Sequence, residues 1–313
     1  MVLDVLTLGE CLVEIMRSKR DVPHNVPGEY LGPFPSGAPA IFADACARLG
    51  LRVGIIGSVG ADDFGKLLIE RLRGDGVDIS YLKVREGYTT GTAFVMYYSS
   101  GERKFIYHLK HSASGLIYPD EVDLEYISSA RVLHLMGSTI AINEYWRDAC
   151  YKAVELADKA GAMISFDPNL RPELLDIQTI RSICEPVLKV SKVVLPSKAE
   201  AEALTGVKDP VEAGKALIKL GPEIAVIKLG SDGSIAVTEA EVVKAPAFKI
   251  DEVDPTGAGD VYDAAFIAGF LWKWPMDKIL RFANAAGAIK VTRFGPMEGP
   301  KSRQEVEEFM ERV

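Results

Sequence analysis

The chain has 313 residues, of which 48% are hydrophobic and 26% are charged, and its formal net charge is −8. This is the composition of a globular protein with enough apolar material for a buried core. The negative charge argues against nucleic acid or an anionic membrane surface as a partner. No stretch is as long and apolar as a membrane helix requires, and the N-terminus lacks the basic and apolar regions of a signal peptide. We therefore expect a soluble, cytoplasmic protein.

Two further features of the composition bear on the environment of the protein. The cysteines (Cys11, Cys46, Cys150 and Cys184) are far apart and form no C-x-x-C pair, so we expect small buried hydrophobes in a reducing compartment. Only two glutamines and four asparagines occur beside abundant Glu, Lys and Arg, which is typical of a thermophile.

The first part of the chain predicts a strand at 4–8, a helix at 38–49, a strand at 52–59 and a helix at 64–73. Residues 11–35 leave this pattern as a segment punctuated by Pro and Gly. Residues 92–99 and 104–109 are rich in β-formers and are separated by Ser100-Gly101-Glu102-Arg103, which predicts an antiparallel hairpin. This hairpin is either part of a separate β-sheet or an edge hairpin of the main sheet.

From residue 130 onwards, predicted strands and helices alternate regularly. The predicted strands are 131–136, 162–166, 192–195, 224–229 and 234–238, and the predicted helices are 145–160, 177–190, 198–204, 212–220, 277–292 and 302–313. Such alternation predicts an α/β fold with a doubly wound, mostly parallel sheet that binds ligands at the carboxyl ends of its strands. We expect one domain spanning residues 1–313.

The segment from Val253 to Asp260 opens directly into an apolar helical stretch. Gly257, Ala258 and Gly259 have little or no side chain, so their backbone N–H groups can approach a ligand, and a helix beginning here adds the positive end of its dipole. Asp260 lies where the helix starts. It could accept a proton from a hydroxyl that attacks a phosphoryl group held by these amides. The alternative is a Gly-rich turn capped by an Asp.

This segment, Asp254-Pro255-Thr256-Gly257-Ala258-Gly259-Asp260, resembles the D-T-T-G-A-G-D signature of the ribokinase/PfkB family of carbohydrate kinases. The resemblance extends over nearly the whole chain and favours the fructokinase and 2-keto-3-deoxygluconate kinase branch. It implies that Asp260 is the catalytic base, that Gly257–Gly259 form the anion hole, and that ATP and Mg²⁺ are required. It also implies that residues of about 11–35 and 87–115 form a small β-sheet lid over the sugar, through which a homodimer forms.

Further motifs extend the resemblance to the phosphate and nucleotide side. Asp167-Pro168-Asn169-Leu170-Arg171 resembles the D-P-N-x-R segment, which implies that Asp167 and Asn169 lie at the substrate and that Arg171 clamps the transferred phosphoryl group. Pro196-Ser197-Lys198-Ala199-Glu200 resembles the N-x-x-E motif, with Ser197 in place of Asn, and implies that Glu200 acts on Mg²⁺ through water. A surface Arg and a solvent-facing Glu are the structural alternatives.

The remaining nucleotide-side positions are implied by the resemblance in the same way. Lys228-Leu229-Gly230-Ser231-Asp232-Gly233 resembles the K-L-G-x-x-G nucleotide loop, which is also compatible with a plain tight turn. Asn284 corresponds to a residue that borders adenine, and Thr256 is expected at the nucleotide. Asp254 and Thr256, with the residues after Thr292, resemble a loop that binds potassium in many members. Potassium is therefore a possible further cofactor.

The expected sugar-binding positions depart from the family pattern. Ser36 and Ile41 replace Gly and Asn of the G-G-x-x-x-N segment, which also includes Gly37 and Ala38. Glu14 stands where fructokinase-like members have a sugar-binding Asp. In the stretch 107–113 we expect Tyr107 and Leu109 at the substrate, Leu109 standing where an Arg is common, with His108, Lys110 and His111 nearby. Such changes imply a different sugar.

Three other functions are alternatives to a sugar kinase. A nucleoside kinase would share the anion hole, and a catalytically silent binding protein would fit the departures at Ser36, Ile41, Leu109 and Ser197. A nicotinamide enzyme is disfavoured because Tyr262 stands where a G-x-G-x-x-G motif requires Gly.

Overall fold

A computed structural model describes residues 2–312. Within this range, the strands are β1 (Leu3–Leu8), β2 (Leu12–Arg17), β3 (Tyr30–Ser36), β4 (Val53–Gly60), β5 (Asp78–Arg85), β6 (Gly91–Tyr97), β7 (Arg103–His108), β8 (Ala130–Met136), β9 (Met163–Asp167), β10 (Val193–Val194), β11 (Ile224–Lys228), β12 (Ser234–Val237) and β13 (Val242–Ala245). The helices are α1 (Ala38–Arg48), α2 (Asp63–Gly74), α3 (Leu124–Ser128), α4 (Gly137–Ile140), α5 (Glu144–Ala160), α6 (Ile177–Val190), α7 (Lys198–Thr205), α8 (Pro210–Ile218), α9 (Ala258–Leu271), α10 (Met276–Val291) and α11 (Arg303–Arg312). No helix among these residues is long and apolar enough to cross a membrane.

The main sheet has nine strands in the order β13-β12-β11-β10-β9-β8-β1-β4-β5. All neighbouring strands are parallel except for the pairs β11–β12 and β12–β13, which are antiparallel. The predicted doubly wound, mostly parallel α/β sheet is therefore confirmed. Polar groups that follow β1, β9 and β11 meet at the carboxyl edge of this sheet.

Alternation of apolar side chains explains why helices cover both faces of the main sheet. Val5 and Val226 belong to one buried cluster, whereas their neighbours Leu6 and Ile227 belong to the other. Each strand thus contributes to two cores, as parallel strands commonly do. Helices α1, α9 and α10 pack on one face, and α5 and α6 pack on the other.

Helix α9 lies inside the fold rather than on its surface. It packs between α1 and α10, and its residues from Asp260 to Gly269 are buried. A helix that is apolar on all sides is stable only in such a surrounding. The N-terminus of α9, which carries the Gly-rich loop, is consequently held in place by the core.

A second sheet has four strands in the order β3-β2-β6-β7. β2 and β6 are parallel, whereas β3 and β7 pair in antiparallel fashion with their neighbours. These strands coincide with the segments 11–35 and 87–115 that the resemblance assigns to a lid. The hairpin of β6 and β7 belongs to this small sheet and not to the edge of the main sheet.

Four strands were not predicted individually from the sequence: β2, β3, β5 and β13. Three of these, β3, β5 and β13, are the last strands of their sheets. An edge strand keeps many polar or exposed residues, so it lacks the apolar run by which a buried strand is identified. In β3 the prolines Pro33 and Pro35 further hide the pattern, although Pro is tolerated at an edge because no neighbour needs its missing N–H.

All four cysteines are buried and free, as their spacing predicts. Each lies within the helical and sheet core, where burial raises the pKa of the thiol. They act as small hydrophobes in the packing.

Candidate active site

A cavity of about 800 Å³ lies at the carboxyl edge of the main sheet, between the N-terminus of α9 and the small sheet. Its size is that of a site for small ligands. The residues selected from the sequence that line it are Glu14, Ser36, Gly37, Ala38, Ile41, Tyr107, Asp167, Asn169, Arg171, Ser197, Glu200, Lys228, Gly230, Gly233, Thr256, Gly257, Ala258, Gly259, Asp260 and Asn284. The fold therefore brings together segments that are more than 200 residues apart in the sequence.

The Gly-rich loop before α9 requires glycine for reasons of space and conformation. Gly257 has φ of 81°, in the left-handed region, and caps the N-terminus of α9. A Cβ at this position would lie 2.4 Å from the carbonyl oxygen of Pro296. The first turn of α9 thus presents backbone N–H groups and the positive end of the helix dipole on the cavity wall. This is a suitable site for an anionic group.

Asp260 is a buried carboxyl group in the first turn of α9, with 7% of its surface exposed. The side-chain amide of Asn169 donates to its Oδ1 over 3.4 Å. Burial and the neighbouring Asp167 raise the pKa of Asp260 to about 7, although Lys228 and Arg171 oppose this shift. A carboxyl group with this pKa suits general-base catalysis near neutral pH.

Lys228 lines the cavity and is held by two buried carboxylates. Its Nζ lies on the cavity wall but is 3.0 Å from Oδ2 of Asp167 and 3.0 Å from both carboxylate oxygens of Asp263. Burial lowers the pKa of Lys228, but these two carboxylates outweigh burial and raise it. The ammonium group is therefore charged and joins the two carboxylates.

The segment after β9 is held by hydrogen bonds from its backbone N–H groups to carboxylates. Asn169 has φ of 38°, and its N–H donates to Oδ1 of Asp167 over 3.0 Å. The N–H of Leu170 donates to Oε1 of Glu200 over 2.8 Å. Arg171 follows on the cavity wall. Burial lowers the pKa of Arg171, but Tyr107, Glu200 and Asp260 together raise it, so its guanidinium remains charged.

Ser197 and Glu200 form the N-terminal capping box of α7. Both the N–H and the hydroxyl of Ser197 donate to Oε2 of Glu200 over 2.7 Å, and the hydroxyl in turn accepts from the N–H of Glu200. Ser197 thereby orients the Glu200 carboxylate, which lines the cavity with both oxygens held.

The other end of the cavity is shaped by glycines and by Asn284. Gly230 and Gly233 have φ of 61° and 97°, and a Cβ on Gly233 would lie 2.1 Å from the carbonyl oxygen of Ala245. Asn284 accepts from the Ser234 hydroxyl and donates to the carbonyls of Ala245 and Pro246, each over 3.1 Å. It thus positions residues 247–250, which line the cavity and were not predicted from the sequence.

Glu14 lies on the small-sheet side of the cavity and has an unsatisfied oxygen. The Ser36 hydroxyl donates to its Oε1 over 2.7 Å, whereas its buried Oε2 has no partner among the described residues. Burial raises the pKa of Glu14 to about 7, and the hydrogen bond from Ser36 opposes this shift. An unpaired buried acceptor is costly unless a ligand satisfies it.

The expectation for Leu109 is not met. Leu109 is 4% exposed and belongs to the core rather than to the cavity wall. Alternate residues of β7 face the cavity, so that Arg103 and Phe105 line it together with Tyr107. His108 points to the opposite face of the strand. Extending the period of two backwards from Tyr107 would have identified Arg103 and Phe105 from the sequence.

Two further buried carboxylates belong to the surroundings of the cavity. Asp254 does not line the cavity: it is 1% exposed, and its oxygens accept from the N–H groups of Thr256 and Gly295. Glu10 was not singled out, yet it lines the cavity behind β1 and accepts from the hydroxyls of Ser138 and Thr139. Burial raises the pKa of Glu10. A Glu directly after a buried strand was the signal for it.

Comparison with known proteins places this site in a family. Residues 3–303 match the model of the pfkB family carbohydrate kinases. The chain is 35% identical over 300 residues to a probable fructokinase-2 of Arabidopsis thaliana, covering 93% of this chain and 91% of that protein. It is 33% identical over 312 residues to a 2-dehydro-3-deoxygluconokinase of Thermoproteus tenax, covering 98% and 94%.

Solved structures agree with this placement. A putative ribokinase II of E. coli in complex with ATP and Mg²⁺ has a TM-score of 0.93 and 40% identity, with both chains covered completely. A fructokinase variant of Vibrio cholerae O395, with fructose, ADP and a potassium ion bound, has a TM-score of 0.87 and 25% identity, covering 99% of each chain. With a family model matched over nearly its full length, and with relatives more than 30% identical, this chain belongs to the pfkB family of carbohydrate kinases.

Proposed function

We propose that this carbohydrate kinase transfers the γ-phosphate of ATP to a primary hydroxyl of a ketose or of a 2-keto-3-deoxy sugar acid, with Asp260 as the general base. The observation that carries the proposal is the position of Asp260. It is a buried carboxyl group with a pKa of about 7, on the same cavity as the Gly257–Gly259 loop and the Arg171 guanidinium. The substrate classes are those named for the relatives.

The chemistry follows from these groups. Asp260 accepts the proton of the sugar hydroxyl as its oxygen attacks the γ-phosphorus, and the bond from that phosphorus to the bridging oxygen breaks to release ADP. The amides of Gly257–Gly259 and the guanidinium of Arg171 stabilise the charge on the transferred phosphoryl group. The nucleotide base and ribose would then lie toward Gly230, Gly233 and Asn284.

The chain offers one carboxylate for magnesium on this wall, Glu200. Its Oε2 accepts from the N–H and the hydroxyl of Ser197, whereas its Oε1 accepts only from the N–H of Leu170 and so retains a lone pair for a water molecule. This fits Mg²⁺, which keeps several waters and binds to few protein groups. When bound with ATP, the ion would neutralise phosphate charge, and Glu200 would hold its water shell.

On the sugar side, Glu14 is the residue best placed to select hydroxyl groups. Its Oε2 is buried and has no hydrogen-bond partner among the described residues. A sugar hydroxyl that donates to it would therefore remove the free-energy cost of an unsatisfied buried acceptor. Ile41 contributes only apolar surface, whereas Arg103 adds a positive charge on the same wall. A sugar acid could use that charge.

The proposal is tested by measuring ADP release with Mg-ATP against ketoses, aldoses, 2-keto-3-deoxy acids and nucleosides. We expect turnover with one ketose or keto-deoxy acid. Turnover with nucleosides alone would establish a nucleoside kinase instead. ATP binding without turnover on any acceptor would support a catalytically silent binding protein and contradict the proposal.

Replacing Asp260 with Asn should lower kcat by roughly 10² to 10⁴-fold, because the amide cannot accept the hydroxyl proton. ATP affinity should change little, since the amides of the loop remain. Steady-state kinetics and calorimetric titration with ATP measure the two effects. A variant that keeps most of its turnover would remove Asp260 from the mechanism.

The pH dependence of kcat/KM should report the raised pKa of Asp260. The carboxylate is the active form, so activity should rise with pH through about 7 and then level off. Glu14 also has a pKa of about 7, so Glu14→Gln is the matched control, and the acidic limb should persist in this variant. A flat profile between about pH 6 and 8 would contradict the assignment.

We further propose that the protein forms a homodimer through the outer face of the small sheet. Ile15, Phe94 and Ile106 are neighbours across β2, β6 and β7 on the face opposite to Glu14 and Tyr107, and Ile106 is 43% exposed. Such an apolar face is typical of a protein interface.

Replacing Ile106 with Asp should shift the dimer to a monomer in size-exclusion chromatography with light scattering, because a charge would be buried in the interface. Lys83→Asp on the exposed surface of β5 is the control and should leave the oligomeric state unchanged. A monomeric wild-type protein would contradict this proposal.

A further inference from the structure

Lys290 is a fully buried lysine beside the start of the Gly-rich loop before α9, residues 254–259, which we call the anion loop. It belongs to α10, and its Nζ donates to the carbonyl oxygens of Asp254 (2.8 Å) and Arg293 (3.2 Å). The same Nζ lies 3.4 Å from Oδ2 of Asp254. These acceptors match the three N–H bonds of an ammonium group. Backbone carbonyls around one compact positive charge are also the way in which proteins bind potassium.

The two carbonyl groups that Lys290 binds belong to segments on either side of the anion loop. Asp254 opens the loop, and its Oδ1 accepts from the N–H of Thr256 over 3.0 Å, while its Oδ2 accepts from Gly295 over 2.9 Å. The turn that begins at Arg293 continues to Pro296, whose carbonyl lies against Gly257. Lys290 therefore connects the entry of the loop with the turn that supports its glycine.

The residues present do not fit a potassium ion at this place. The resemblance suggested such an ion near Asp254 and the residues after Thr292, and the Vibrio cholerae fructokinase variant was solved with one. In this chain the carbonyls of Asp254 and Arg293 are already bonded to Lys290. A second positive charge at the same carbonyls would be repelled by the ammonium group.

We propose that the ammonium group of Lys290 is a built-in monovalent cation for the anion loop and makes catalysis by this chain independent of potassium. Lys290 acts as a positioning residue through Asp254 and Arg293 and does not touch the reacting atoms. Burial lowers the pKa of Lys290, and the Asp254 carboxylate opposes that shift. A neutral amine would leave one of its three acceptors without a donor, which favours the charged form. The catalytic part of this inference rests on the proposed phosphoryl transfer.

The wild-type protein provides the first test. Its kcat and melting temperature are compared in choline, sodium and potassium chloride at equal ionic strength. We expect both quantities to be the same in the three salts, with kcat within about twofold. Clear stimulation or stabilisation by potassium would overturn the proposal.

The second test removes the ammonium group. Lys290→Ala leaves room for an ion, so we expect kcat to fall at least about tenfold in choline chloride and to recover in about 0.1 M potassium or ammonium chloride. The melting temperature of this variant should rise by at least about 2 °C with potassium, because the ion binds only the folded state. A folded variant that responds to neither ion would contradict the proposal.

Two control variants separate the effect of losing the positive charge from the effect of losing side-chain volume. Lys290→Met refills most of the space without a charge and should remain impaired in potassium. Lys278→Ala changes an exposed lysine of the same helix and should behave as the wild type in every salt. If Lys290→Ala does not fold in choline, refolding in potassium should restore it, and failure to do so would count against the proposal.

The outcomes also distinguish this inference from the proposed function. If the wild-type protein phosphorylates no acceptor in any salt, the proposed function fails. The potassium dependence of the melting temperature in Lys290→Ala still decides the role of Lys290, because that measurement needs no substrate.

Discussion

The buried charge cluster of Lys228, Asp167 and Asp263 is the interaction on which the rest of the site depends. Lys228 ends β11, Asp167 ends β9, and Asp263 lies in the first turns of α9, so one ammonium group joins three elements. Removing the lysine or its carboxylate partners would leave the remaining charge buried without a partner, which is destabilising. The cluster therefore favours the one arrangement of β9, β11 and α9 in which these charges meet.

The same cluster sets the electrostatics of Asp260. The lysine is already neutralised by its two partners, so it only partly offsets the burial of Asp260 and the repulsion from Asp167. Arg171 stands on the same wall and remains charged. The site therefore combines a carboxyl group that holds a proton near neutral pH with a fixed positive charge. In a chain with a net charge of −8, this local balance depends on burial rather than on overall charge.

The small sheet is connected to the anion loop by a direct contact. The hydroxyl of Tyr97, at the end of β6, donates to Oδ1 of Asp254 over 2.9 Å and lies 2.6 Å from Oγ1 of Thr256. Lys290 reaches the same Asp254 from α10 on the other side. The small sheet, which carries Glu14 and Tyr107, and the loop before α9 are thus parts of one hydrogen-bonded network, so a change on one side can alter the geometry of the other.

The parallel α/β framework and the loop from Gly257 to Asp260 could both be predicted from the sequence. Both are local: strands and helices follow from the period of neighbouring apolar residues, and the loop follows from adjacent residues whose small size has a direct steric reason. The partners of the charged side chains, in contrast, are known only from the folded protein. Lys228 is bound by carboxylates from β9 and α9, and Lys290 is bound by groups that follow β13 and α10, none of which its own sequence neighbourhood indicates. Leu109 shows the same limit: it lies just past the end of β7, so the alternation that places Tyr107 on the cavity wall no longer applies and its side chain packs in the core. Burial, pairing and facing direction depend on residues far apart in the chain, and no local pattern contains that information.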